Sequence, residues 1–176
     1  TVFFLLLIII AFGNQAFAQN NKWILNWHDE FNDNEIDTRY WSKPYRSKAE
    51  WGNTMTENEN LYDFEDDNLI LKGIYNDILP NDTATYLTGG LWTRNKKSFG
   101  NGKIEVRAKF STASGFWPAI WMLPQADNSV KWPDGGEIDI MEHTEFHDYI
   151  MQTVHTYYTK TLKKDKEPLN THHPKY

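Results

Sequence analysis

Gly135 to His143 reads Gly-Gly-Glu-Ile-Asp-Ile-Met-Glu-His; acid and aliphatic residues alternate and then break step at Met141. No other stretch of the chain constrains its fold as strongly. A period of two is a strand signal: Glu137 and Asp139 share one face, while Ile138 and Ile140 point the other way, toward a core. Continued regularly, the pleat would turn Glu142 into that core, where an unpaired carboxylate costs several kcal/mol. One extra residue, a β-bulge at Ile140 and Met141, returns Glu142 to the acid face. The expectation is three carboxylates in line on one side of a strand.

Two glutamates flanking an aspartate suit glycoside hydrolysis. A retaining mechanism needs a carboxylate nucleophile and a carboxylic acid about 5 to 5.5 Å apart across the scissile bond. Long Glu side chains converge to that spacing on a concave, twisted sheet. Asp139 between them would hold a proton or hydrogen bond and keep the two glutamates' pKa values apart, because like charges in one site do not all ionise easily.

The rest of the chain reads as further strands and turns. Trp23–Phe31 is strand-like, Asp37–Trp41 a single capped turn, and Phe31 and Trp41 are core anchors. Pro44–Asn60 is polar and loop-like around Trp51-Gly52-Asn53. Asn68–Ile74 reads as a strand and Asn76–Thr83 as a turn. Lys103–Phe110 alternates cleanly, so Ile104, Val106, Ala108 and Phe110 should face a core and Lys103, Glu105, Arg107 and Lys109 should face outward. In Gly115–Pro124, Trp117, Ala119 and Trp121 share one face, and Pro118 implies an edge position or a break in the ladder. Met151–Tyr158 is the next strand, paired with the acid strand across a turn near Phe146–Asp148, which would bring His155 to the acid face. Regular strands, few helical periods and abundant turn signals argue for an all-β sandwich. His143 and His147 flank Glu145, but the order is H-x-E-x-H rather than the H-E-x-x-H of helical zinc sites, and no metal ligands are assigned.

Composition narrows the function classes. With no cysteine there is neither a disulfide framework nor a thiolate nucleophile. A net charge of −6 without a basic run argues against nucleic acid or an anionic membrane as partner. The 8 Trp, 9 Tyr and 10 Phe instead suit stacking against a neutral ligand. Val2–Phe12 is an uncharged apolar run followed by Gly13-Asn14-Gln15 and Ala16-Phe17-Ala18, which reads as a signal peptide over 1–18 with the mature domain over 19–176. The localisation expected is therefore extracellular or periplasmic, with no membrane association after cleavage. The initial Thr and the missing basic n-region suggest a sequence cut short at its start.

The E-x-D-x-x-E run from Glu137 to Glu142 resembles the active-site signature of glycoside hydrolase family 16, the laminarinase, lichenase and agarase group. Asp-Glu-Phe at 29–31, followed by Ile36-Asp37 and Trp41, resembles that family's N-terminal segment. The resemblance implies a concanavalin-like jelly roll with a concave cleft. It implies Glu137 as nucleophile, Glu142 as acid/base and Asp139 as assisting carboxylate. It further implies sugar contacts from Glu105 and Arg107, from Asn53, and from His155 beside the assisting Asp139. Next to such acids Trp117 and Trp121 become sugar-stacking surfaces, since pyranose C–H faces are apolar and Trp is rigid; Trp132 is a further candidate. The function expected is a secreted retaining endo-glycanase on β-1,3- or mixed β-1,3-1,4-glucan, monomeric at full length, with algal galactan as an alternative substrate. The rival from another class is a non-catalytic glycan-binding protein on the same sandwich. No cofactor is required by that chemistry; a structural calcium occurs in such relatives, without ligands assignable here. Family domains are longer, so the last sandwich strands are expected to be absent, leaving an open edge or an uncovered apolar face.

Overall fold

The computed structural model describes residues 22–125, 131–144, 146–164 and 173–174. The stretch read as a signal peptide lies outside them. Two hairpins and one larger antiparallel sheet make up the described strands. In the first hairpin β1 (Tyr62–Glu65) pairs with β2 (Asn68–Leu71). Asp66 and Asp67, at φ 49° and 58°, form its two-residue loop, a geometry that matches the twist of the flanking strands. Asn68 Nδ2 donates back to the Asp66 carbonyl at 2.6 Å. In the second hairpin β3 (Gly73–Tyr75) pairs with β4 (Tyr86–Thr88). The single strand expected over Asn68–Ile74 is thus divided at Lys72, whose N–H donates to Leu61 O at 2.9 Å and whose carbonyl accepts from Gly89 N at 2.8 Å.

The hairpins enclose the best-packed part of the molecule. Leu61 and Leu87 are fully buried with Tyr62, and Ile36, Ile74, Ile78, Leu79, Ala84 and Leu91 pack around them. Gly89 is required here, because a Cβ would stand 2.8 Å from Leu61 O. The Tyr62 hydroxyl lies 3.1 Å from Gly90 O and 3.2 Å from Thr56 O, so this buried polar tip is satisfied.

The larger sheet has the order β5 (Ala119–Met122), β6 (Glu137–Glu142), β7 (Tyr149–His155) and β8 (His173–Pro174), all antiparallel. Pro118 directly precedes β5, an edge strand, where its missing N–H breaks no ladder. The β6–β7 turn falls where expected, and Asp37 caps a turn through Trp41, whose N–H donates to Asp37 O at 2.9 Å. Trp41 Nε1 donates to Asp29 Oδ2 at 2.8 Å, and its ring meets Phe31 at 5.9 Å between centroids.

Four further expectations are corrected. Trp23–Phe31 pairs with no strand among the described residues, and Trp23, Ile24 and Leu25 are exposed. Lys103–Phe110 also pairs with no described strand; Ile104 and Val106 are exposed, and only Phe110 is partly covered, against the His143 ring at 5.5 Å. Alternation identifies the face that would be buried, but burial needs a second layer, and none lies over that face among the described residues. The same reason applies to Ile138, which is 49 % exposed rather than in a core, beside the half-exposed Val154 opposite it. Finally, β7 stops at His155: Thr156 caps a single helical turn over Tyr157–Thr161, its Oγ1 accepting from Thr159 N at 3.2 Å while Thr159 Oγ1 accepts from Thr156 N at 3.0 Å.

This division of packing predicts unequal mutational costs. Leu87→Ala should lower the unfolding free energy by about 2–5 kcal/mol. Ile138→Ala should cost under about 1 kcal/mol, because little apolar surface is lost from burial. Urea denaturation of the two variants measures both; equal losses would show that the outer face of β6 is covered in solution.

Candidate active site

β6 carries one extra residue relative to both neighbours. Against β7, Asp139 pairs with Thr153 and Glu142 with Met151; against β5, Asp139 pairs with Trp121 and Met141 with Ile120. The bulge expected between Ile140 and Glu142 is therefore present, and it brings Glu142 to the side occupied by Glu137 and Asp139. A bulge leaves backbone groups without ladder partners. Here Gln152 Nε2, on the facing strand, donates to Ile140 O at 2.9 Å. This brace was not legible in the sequence, since nothing in a strand's periodicity marks the residue that will face a freed carbonyl.

The three acids have unequal surroundings. Asp139 is 4 % exposed, whereas Glu137 and Glu142 are partly exposed. Burial pushes the Asp139 carboxyl up to about 7, helped by the charges of Glu142 and then Glu137 and by hydrogen bonds to both. His155 Nε2 stands 3.1 Å from Asp139 Oδ2, so the histidine does reach the acid face, diagonally from its register partner Glu137. Thr153, buried and opposite Asp139, joins this face and was not singled out in the sequence.

Each glutamate is held by an indole. Trp117 Nε1 donates to Glu142 Oε1 at 2.9 Å, and Trp132 Nε1 donates to Glu137 Oε2. Both rings are about half exposed, and Trp132 also meets the His155 ring at 6.1 Å. The two tryptophans flank the acids from opposite ends of β6, each offering a donor to a carboxylate and an open ring to solvent. Trp121 lies on the same face, opposite Asp139, with Trp51 edge-on to it at 5.3 Å. Trp51 is a third residue that spacing did not place at the site, because a loop tryptophan has no period to place it.

The remaining candidates make their described contacts elsewhere. Glu105 pairs with Lys103 at 2.9 Å, and Arg107 Nη2 donates to Asn68 Oδ1 at 3.3 Å, both exposed. The Asn53 carbonyl accepts from Arg46 Nη1 at 2.6 Å, in a depression also lined by Asp82. His143 is buried, and its Nε2 donates to His147 O at 2.7 Å, so that ring nitrogen is committed to backbone. Among the described residues no group of three His, Asp or Glu side chains is placed to hold a metal ion.

A sheet bearing three in-line carboxylates between exposed indoles is the arrangement of a carbohydrate-active β-sandwich. The chain belongs to glycoside hydrolase family 16: a model of the XgeA-like catalytic GH16 domain matches residues 45–175. It is 38% identical over 144 residues to the keratan-sulfate endo-1,4-β-galactosidase of Sphingobacterium multivorum, covering 81% of this chain and 34% of that protein. It is 35% identical over 165 residues to a β-glucanase of Rhodothermus marinus, covering 87% and 56%. The fold is the β-jelly roll of the laminarinase catalytic domain of Thermotoga maritima, at a TM-score of 0.73 and 28% identity over 88% of this chain and 63% of that one. The chain thus spans between about a third and somewhat over half of these two curated relatives.

Two measurements test the geometry. An unfolded Asp titrates near about 3.9, so a folded value of about 7 means that the native state binds the extra proton. Asp139's contribution to stability is accordingly full at acid pH below its unfolded value and is lost as pH rises through about 7. Asp139→Asn should therefore lose less stability than the parent over that interval; parallel stability–pH curves would show that Asp139 does not titrate there. Gln152→Leu removes the donor to Ile140 O, loosens the bulge and lets Glu142 withdraw, so the Asp139 pKa, followed by carboxyl-carbon NMR, should fall. An unchanged value would show that the bulge holds without this brace.

Proposed function

We propose that this site belongs to a retaining endo-glycanase that hydrolyses a β-linked polysaccharide. The observation that carries the reading is the buried Asp139 between two accessible glutamates, with its carboxyl raised to about 7. At neutral pH and below, a proton on Asp139 lowers the repulsion within the cluster and can be donated to a neighbouring glutamate.

Glu137 is the nucleophile in this reading. Its attack on the anomeric carbon breaks the glycosidic bond while Glu142 protonates the departing oxygen. Glu142, now ionised, takes a proton from water, which hydrolyses the glycosyl-enzyme with net retention. The Asp139 proton, shared toward Glu137, would ease that residue's departure. The indole N–H groups orient both carboxylates, and the open faces of Trp117 and Trp132 supply stacking surfaces for sugar rings on either side of the bond. Trp121 and His155 complete this surface; Glu105, Arg107 and Asn53 are proposed sugar contacts only through the family resemblance.

The backbone proposed is a β-1,3- or mixed-linkage glucan, as in the relatives named as glucanases. A β-linked galactan is a second reading, favoured by the 38% identity to the keratan-sulfate hydrolase. Export through a signal peptide over 1–18 and monomeric action at full length remain parts of the proposal.

Azide separates the two glutamates' roles. With an activated aryl glycoside, Glu142→Ala should still form the glycosyl-enzyme, and azide should release a β-glycosyl azide of retained configuration. Glu137→Ala should yield the opposite anomer. An inverted product from Glu142→Ala would reverse the roles. Unaffected turnover in both variants would leave the site a binding surface.

A further inference from the structure

Trp117 is anchored on both sides along the chain. Downstream, Pro118 favours an extended backbone at Trp117, and the Pro118 carbonyl accepts from His143 N at 3.1 Å, directly after Glu142 at the end of β6. Upstream, residues 113–116 form a β-turn. Phe116 N donates to Ala113 O at 3.2 Å, and Gly115, at φ 86°, supplies the left-handed residue that a type II turn needs in its third position. That turn delivers the Phe116 ring to β3, on the second hairpin.

The receiving position is Gly73. It pairs with Thr88 across the hairpin, and a Cβ built on it would stand 3.2 Å from Phe116 Cε1, 3.5 Å from Phe116 Cζ and 3.7 Å from Thr88 Cγ2. Gly73 has no left-handed backbone that would otherwise call for glycine. Glycine inside a strand weakens it and often marks the close approach of another group. Here the missing side chain leaves the seat of the ring. Successive side chains on an extended chain point to opposite sides. With Phe116 seated on the hairpin, Trp117 is turned toward the acid sheet, where its Nε1 donates to Glu142 Oε1 at 2.9 Å.

We propose that Phe116, seated on Gly73, is a positioning residue for the general acid. The contact fixes the Trp117 indole and, through it, the direction from which Glu142 delivers its proton to the departing oxygen. This rests on the glycanase reading above and adds to it a packing contact, on the second hairpin, that acts on the first chemical step.

Two variants break the contact from opposite sides. Gly73→Val fills the seat with a residue of high strand propensity, so the hairpin itself should not weaken while the ring is displaced. Phe116→Ala removes the ring, and because Phe116 is 41 % exposed it opens no sealed core cavity. In nitrogen-labelled protein the Trp117 indole N–H resonance, assigned by its loss in Trp117→Phe, should move in both variants toward that of a solvent-exposed indole. Both variants should lower kcat/KM about tenfold on the β-glucan or β-galactan oligosaccharide that the wild type cleaves, part of the roughly 10²–10⁴ that a positioned acid supplies. On a dinitrophenyl glycoside of the same sugar, whose leaving group departs without a proton, kcat/KM should be unchanged. Gly73→Val added to Trp117→Phe should produce no further loss, because the two act through one contact. An unmoved indole resonance, equal losses on both substrates, or additive losses in the double variant would overturn the proposal. Wild-type protein that cleaves neither substrate would sink the hydrolytic reading instead, and the indole resonance would still decide whether Phe116 places Trp117.

Discussion

Everything at this site depends on where the pleat of β6 slips by one residue. Three carboxylates in six positions cannot share a face of a regular strand, and the unfavourable alternative is a charged glutamate among the aliphatic residues behind it. The bulge resolves that conflict locally but leaves the Ile140 carbonyl without a ladder partner, which β7 supplies through Gln152. Side-chain chemistry on one face is thus tied to hydrogen bonding on the other. The neighbouring strands register against the same slip, so Trp121, Thr153 and His155 take their places relative to Asp139 because of it.

Electrostatics then separates three acids of similar intrinsic strength. Asp139 is the shortest and most buried, and a carboxyl in that position keeps its proton more readily than its neighbours. The glutamates reach farther toward solvent, and each accepts from an indole N–H, a donor that carries no charge of its own. A lysine or arginine in either place would lock its glutamate as an anion. Tryptophan orients the carboxylate without adding a charge beside it, and it leaves a ring for the ligand.

The acid strand was legible because two physical rules met there, strand alternation and the cost of burying charge, and together they required the bulge. The capped turn at Asp37 and the β6–β7 turn were legible from local chemistry alone. Lys103–Phe110 and Ile138 were not, because alternation reports a preference for burial but not whether a covering layer exists. The end of β7 was hidden for a different reason: Thr156 and Thr159 form a reciprocal cap, and hydroxyl capping overrode the β-propensity of the tyrosines that follow. Trp51 and Gln152 act through tertiary contacts without a sequence period.

The concentration of fully buried apolar side chains in the hairpin region has a kinetic meaning. Leu61, Leu87 and Tyr62 tie β1 to β4 into one cooperative unit, whereas the outer side of the acid sheet, at Ile138 and Val154, remains half open to water. Regions with few buried contacts open at lower free energy than the molecule as a whole. Backbone amides of β6 and β7 should therefore exchange with solvent through a partial opening that leaves the hairpins closed. The bulge, held between the buried Asp139 and Met141, would meet water only during such an opening.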